Sequence, residues 1–554
     1  MHGATFSSAE LEQNAADEFS HAVQIGNAVT EKQVLDAVLA ARDQQGGPLY
    51  NGMTDCGAGG FSSAIGEMGG ALGVEVHLER APLKYAGLSY AEVWISEAQE
   101  RMVLAVPEKN VAAIEAICKR EGVDCAVLGT FGTPNADLVL NYKGNEVGRI
   151  SMHFLHEGIP MPTRKAEWAP ATPAAKPAAK LPQIKDALLK LLAHPNIASK
   201  HWIIRQYDHE VQGNTAVKPL VGPAQRGPSD ASVLEPISGS GRGIAISQGL
   251  QTGLGDTTIG GDAYWMTLAA IDECVRNLVC VGADPSRIAI LDNFCWPSCD
   301  KPTNMGSLVR ACAACYDGAK AYGTPFVSGK DSLNNQLRYT DPATGEQRVI
   351  EIPATLLITG LGMVPRLDRV VTMDAKKPGN ALIVVGPRSS ALGGSHAQRL
   401  FGLPDGADGS IPRTDLKLGP TAARVIAGLI RNGAIVSAHD VSDGGVLCAV
   451  AEMLIGANGP TPLGKNAPPI GAAIDLSRLG VEATAAAFGE GPSRYVLEVE
   501  PSRIGEVLNA ARAAGIDATE LGMLDSTGVL TDGKAGLSVV AGDLAGAWLG
   551  TLDW

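Results

Sequence analysis

Apolar positions along this chain follow helical and strand rhythms, and part of the pattern occurs twice. Residues 30–41 (TEKQVLDAVLAA) place apolar side chains at helical spacing, and Thr30 with Gln33 forms a capping-box arrangement that predicts the helix start. In 91–106 a polar cluster around Glu97 precedes an apolar run that reads as a strand. The same order returns in 488–499, with Glu97 matching Glu490 and Arg101 matching Arg494. A helical pattern follows each run, at 109–118 and 504–512, and then a glycine-bearing strand, at 126–129 and 520–524. The repeat is sharpest at 53–68 (MTDCGAGGFSSAIGEM) and 438–453 (AHDVSDGGVLCAVAEM), where Asp55 matches Asp440 and Gly59-Gly60 match Gly444-Gly445.

Each copy reads as strand, acidic turn, glycine pair, helix N-terminus. A carboxylate beside a glycine turn suits a divalent cation, and free helix N–H groups suit phosphate oxygens. The same glycines also serve plain close packing of helix on strand. Two copies at corresponding places predict a duplicated domain. Two α+β domains of one kind are therefore expected at 1–160 and 368–554. A Pro/Ala/Lys linker and helix fill 161–195. A domain of a different kind is expected at 196–367, with a strand at 287–293, a helix near 305–322 and a strand at 354–363. A full duplication would hold an even number of domains, so one central-type domain is expected to be missing before residue 1.

Composition narrows the class. The 554 residues suggest three or four domains, and 45% hydrophobic content supplies an ordinary core. A net charge of -14 argues against a nucleic-acid or acidic-membrane partner. No apolar run reaches bilayer length and no signal segment is evident, which points to the cytoplasm. Of ten cysteines, Cys295, Cys299, Cys312 and Cys315 have a spacing that invites zinc. Cys312 and Cys315, however, lie in a helical pattern as small core residues, and the set reads as reduced thiols.

Candidate chemistry centres on oxygen ligands. Glu273 and Asn277 sit four apart on one helix face, where they read either as cation ligands or as a solvated polar pair. Asp208 and Asp440 would complete an oxygen-only set suited to Mg²⁺ bridging nucleotide phosphates. Gly329-Lys330-Asp331-Ser332 lacks the spacing of a Walker loop and reads as an ordinary turn. Histidines are scattered without a Ser/His/Asp or Cys/His set, which gives a hydrolase or covalent glutaminase little support.

Taken with TDCGAGG at 54–60, SEAQERM at 96–102, YDHE at 207–210 and LDNF at 291–294, the chain resembles the phosphoribosylformylglycinamidine synthase family, small-type synthetase subunit. The resemblance covers nearly the whole chain. It implies an α+β fold of duplicated aminoimidazole-ribonucleotide-synthetase-like domains, with a central β-barrel half and flanking α/β sandwich domains. It also implies an ATP-dependent C–N ligase of purine biosynthesis that converts formylglycinamide ribonucleotide to the amidine with glutamine-derived ammonia. Expected partners are a glutaminase subunit and a small bridging subunit, and expected cofactors are Mg²⁺ and ATP. The family's catalytic histidine stretch belongs to the absent first domain, which leaves a non-catalytic nucleotide-binding or assembly module as the rival reading. Single-copy superfamily members are disfavoured, because they dimerise whereas this chain carries the duplication internally.

By resemblance, Gln24, Glu97, Ala98, Gln99 and Ser332 contact substrate, and Ala98 stands where the family usually has Ser. Asp55 is the Mg²⁺ ligand, and Asp292, Gly329 and Lys330 meet the nucleotide. Lys330 occupies the place of an Asn metal ligand and is expected to neutralise phosphate instead. Asp208, Glu273, Asn277 and Asp440 form the cation set of a second, pseudo-equivalent site.

Overall fold

The computed structural model describes residues 26–84, 86–169, 181–207, 209–210, 213–403, 411–460 and 468–553, together with the backbone of 11–12. It divides into two compact units, 1–164 with 334–351, and 165–333 with 352–554.

In the first unit, the strand Gly52–Asp55 pairs antiparallel with Met102–Ala105. Helices Ala28–Arg42 and Val111–Glu121 pack beside this ribbon, burying Ala37, Ala41, Ile114 and Ile117 against Leu104 and Val106. The first helix begins earlier than Thr30: Asn27 is its N-cap, and the Asn27 side chain accepts from the N–H groups of Val29 and Thr30. Asn terminates a helix as well as Thr does, so the cap three residues upstream prevails. A four-stranded sheet, in the order Gly129–Phe131, Val74–His77, Asp137–Tyr142, Asn145–Ser151, carries the unit's other core. The glycine-bearing strand thus starts at Gly129 rather than 126.

The second unit holds two larger sheets. One has six strands in the order Phe326–Ser332, Ile288–Cys295, Thr355–Val364, Gly243–Gly249, Ser232–Leu234, Thr215–Val217. Helix Ala263–Cys280, with nearly every side chain buried, packs on it beside helix Pro302–Tyr322. Residues 329–332 belong to the edge strand and not to a turn, because they pair in parallel register with 292–295. The other sheet has seven strands and contains Ser437–Asp440, Tyr495–Val499, Ala381–Val385 and Ala518–Asp525 as neighbours. The helix after the linker, Ile184–Leu192, buries Leu188, Leu191 and Leu192 and packs on the helix Ala541–Gly550, whose Trp548 Nε1 donates to the Ile197 carbonyl at 3.0 Å.

The two copies of the repeat share their backbone geometry. Asp55 faces Met102 across its ribbon, as Asp440 faces Tyr495. Gly59 and Gly60 have φ of +78° and +58°, and Gly444 and Gly445 have +81° and +73°. Glu100 and Ser493 take the left-handed conformation at equivalent places, with φ of +57° and +61°. The glycine pair is obligatory. A Cβ on Gly60 would overlap the Ser96 carbonyl oxygen, and one on Gly445 would lie 2.7 Å from the Phe488 carbonyl carbon. Gly60→Ala is therefore expected to destabilise the first unit by about 3 kcal/mol, strain and overpacking together. Gly52→Ala, where a Cβ meets nothing within 4 Å, is the control and should stay within about 0.5 kcal/mol. Equal denaturant midpoints for the two variants would refute the close-packing account.

Candidate functional site

The first copy of the turn presents Asp55 as an exposed carboxylate at the end of its strand. The Cys56 N–H donates to the Arg101 carbonyl at 3.1 Å, which draws the turn against the loop that carries Glu97, Ala98 and Gln99. Glu97 is buried and its Oε1 accepts from the Gly59 N–H at 3.1 Å. Arg101 lies over the Phe61 ring at 4.5 Å, and its Nε donates to the Ala98 carbonyl at 3.0 Å. The structure thus brings Asp55, the glycine pair and residues 97–99 into one constellation: an open carboxylate beside a glycine turn held by a buried glutamate. Gln24 and Asp208 lie outside the described residues.

The second copy reproduces this frame, with Glu490 Oε1 accepting from the Gly444 N–H at 2.6 Å. Its acidic residue has the opposite fate. Asp440 is buried and its Oδ2 accepts from Arg276 Nη2 at 3.2 Å. Arg276, itself on the helix Ala263–Cys280, also binds Asp272 through Nη1. Burial opposes the Arg276 charge, but Asp272, Asp440 and Glu273 outweigh it and push its pKa up. Burial pushes the Asp440 carboxyl up to about 7, with Arg276 pulling against it.

Glu273 joins the same buried region, where its Oε2 accepts from the Leu250 N–H at 2.7 Å and its Oε1 from Ser442 Oγ. Asn277 faces elsewhere, donating to the Gln248 carbonyl at 3.0 Å. Asp230, unmarked by any sequence pattern, completes the cluster: its Oδ1 meets the Asp440 N–H and His439 Nδ1, each at 2.9 Å. Only the fold could reveal it, because more than two hundred residues separate it from its partners.

The third constellation lies on the edge strand of the six-stranded sheet and its parallel neighbour, where Asp292 faces Gly329 and Asn293 faces Lys330. A Cβ at Gly329 would collide with the Asp292 carboxylate, so glycine keeps that carboxylate accessible. Burial first, then the neighbouring Asp331, raises the Asp292 pKa. Lys330 Nζ donates to Ser332 Oγ and to the Asp331 carbonyl, both at 3.1 Å. Two carboxylates, an ammonium and a hydroxyl at one strand end can meet a phosphate with its cation. The four cysteines with zinc-like spacing are free thiols, with Cys312 exposed and Cys299 buried. Among the described residues no helix is long and apolar enough to cross a membrane.

Known proteins place this geometry. The family described as AIR synthase related protein, C-terminal domain, matches residues 1–138 and again 377–531, and the corresponding N-terminal domain family matches 229–346. Phosphoribosylformylglycinamidine synthase subunit PurL of Rhodospirillum rubrum is 31% identical over 98% of this chain and 68% of its own length. The chain belongs to the PurL family. PurL of Azorhizobium caulinodans is 32% identical over 94% of this chain and 66% of its own length, so the chain spans about two thirds of the curated PurL relatives it matches.

Among solved structures, PurLQS from Thermotoga maritima aligns with a TM-score of 0.59 at 20% identity, covering 94% of this chain and 70% of that one. Thermotoga PurL complexed with FGAR gives 0.62, also at 20% identity, over 95% and 70%. These likenesses establish the PurL fold here: mixed helix and sheet, built on duplicated AIR-synthase-related domains. Thermotoga PurL has also been solved with ATP.

Proposed function

We propose that this chain carries the ATP-dependent amidation of formylglycinamide ribonucleotide in purine biosynthesis, as an enzyme of the C–N ligase class. Membership of the PurL family is the observation that carries the reading. In balanced form, the substrate amide oxygen attacks the γ-phosphorus of ATP and ADP leaves. Ammonia then adds at the activated carbon, phosphate departs with the former amide oxygen, and loss of a proton leaves the amidine. Such phosphoryl transfer depends on positioning and charge neutralisation.

Within this reading, residues 1–160 and 368–554 are the flanking domains and 196–367 the central one, joined by 161–195. Asp55 is the Mg²⁺ ligand, an oxygen donor of the kind a hard cation prefers, and Asp292 meets the nucleotide. When bound, Mg²⁺ would neutralise phosphate charge during transfer. Glu97 holds the glycine turn open through Gly59, so that the backbone of Ala98 and Gln99 can face substrate. Ser332 orients substrate while Lys330 and Gly329 receive the nucleotide phosphates. Gln24 keeps its assignment as a substrate contact. Asp208, Glu273, Asn277 and Asp440 are assigned to the pseudo-equivalent site, where the burial of Asp440 against Arg276 favours a structural role.

A cytoplasmic location and ammonia supply by a glutaminase subunit with a small bridging subunit follow the same reading. The Thermotoga complex named PurLQS supports those partners. The test is ADP release that requires both formylglycinamide ribonucleotide and ammonia, measured with this chain alone and with the remaining third of a PurL relative added. No substrate-dependent ADP in either arrangement would overturn the reading.

Lys330→Ala is expected to raise the KM for ATP about tenfold, the worth of one charge-assisted hydrogen bond, with the KM for formylglycinamide ribonucleotide nearly constant. Steady-state kinetics decide this, and an unchanged KM for ATP removes Lys330 from the phosphate site.

A further inference from the structure

We infer that His396, Asp443 and Glu490 form a transition-metal site in the second copy of the repeat, distinct from the carboxylate set around Asp440. His396 Nδ1 lies 3.1 Å and 3.3 Å from the two Glu490 carboxylate oxygens and 3.7 Å from Asp443 Oδ1. Ligands about 2.1 Å from a tetrahedral ion stand about 3.4 Å apart, so these separations suit one ion in place of the proton between them. The three donor atoms converge within 4.8 Å of one another.

The ligand type selects the metal. One imidazole nitrogen with two carboxylates suits Zn²⁺ and similar first-row ions better than Mg²⁺ or Ca²⁺, which prefer all-oxygen shells. The outer partners suit a ligating imidazole. The Asn196 side-chain amide lies 2.9 Å from His396 Nε2, and with its oxygen turned to the ring it accepts from Nε2–H, which leaves the Nδ1 lone pair for the metal. The His194 ring packs edge-on against His396 with centroids 5.0 Å apart, shielding one side. Glu490 and His396 are 5% and 13% exposed, whereas Asp443 is 36% exposed and leaves an approach for the ion and a water or exchangeable ligand.

The chain supplies its own comparison. Glu97 repeats Glu490 and makes the same bond to its glycine N–H, so that glutamate alone belongs to the shared frame. Asp443 is different, because the first copy has Ala58 at the matching position in an otherwise similar turn. The second copy therefore carries a carboxylate where the first forms a similar turn with alanine.

The test uses the full chain and Co²⁺ as probe. Stoichiometric uptake is expected, with tetrahedral d–d bands and no thiolate-to-cobalt charge transfer, because none of the cysteines takes part. Asp443→Ala, which reproduces the first copy's residue, and His396→Gln should each weaken Co²⁺ binding by about 100-fold or more. Circular dichroism checks that both remain folded. Absence of uptake by the unmodified chain, a thiolate band, or undiminished binding in folded variants overturns the site. If both variants misfold, the wild-type spectrum decides alone.

Discussion

Asp55→Asn is expected to lower substrate-dependent ADP formation by about 100-fold or more while leaving the unfolding midpoint within about 0.5 kcal/mol of the parent. The exposed carboxylate makes the separation of the two effects possible. Asp55 ends a strand whose ladder to Met102 is backbone, so an amide of the same size keeps the turn and removes one negative charge. The matching change in the other copy, Asp440→Asn, predicts the reverse pattern. Asp440 is buried against Arg276, so its loss should appear in stability rather than in the KM for nucleotide. Turnover within twofold of the parent in Asp55→Asn would exclude that carboxylate from the chemistry. Equal stability losses in both variants would show that burial does not distinguish the copies.

Sequence repetition revealed the frame and said little about its occupants. Asp55 with Asp440, the glycine pairs, Glu97 with Glu490 and Arg101 with Arg494 were all legible, because each is bound to a local backbone need: a strand end, a left-handed turn, a carbonyl to cap. Asp230, His396 and Asp443 were not. Asp230 reaches Asp440 only through the packing of two sheets, and His396 reaches Glu490 across almost a hundred residues. A periodic pattern encodes which face is buried, but not which polar groups meet across an interface. The same limit explains the misreading of 329–332. Gly-Lys-Asp-Ser has the composition of a turn, yet pairing with 292–295 makes it an edge strand, since tertiary context overrides local preference. The helix start moved from Thr30 to Asn27 for a local reason, because both residue types cap and the earlier one is used.

Arg276→Met should cost about 3–5 kcal/mol, a large part of the 5–15 kcal/mol that typically separates folded from unfolded protein. Methionine keeps the stem's apolar volume but removes the guanidinium from two buried carboxylates, Asp272 and Asp440. Asp272 retains other donors: the Ser493 N–H at 2.7 Å, Ser493 Oγ at 2.6 Å and the Tyr322 hydroxyl. Asp440 keeps the His439 imidazole 3.8 Å from its Oδ1, but Arg276 at 3.2 Å is the nearer cation and donates a hydrogen bond to Oδ2, so most of the loss should originate there. The double variant Arg276→Met with Asp440→Asn tests this assignment. Removing both charges should restore a good part of the stability, because a neutral pair is cheaper to bury than a lone carboxylate. Denaturant unfolding of the two single variants and the double variant closes the cycle. A coupling energy near zero would mean that Arg276 and Asp440 contribute independently, and the buried cluster would then be packing around charges rather than an ion pair joining the helix to the turn.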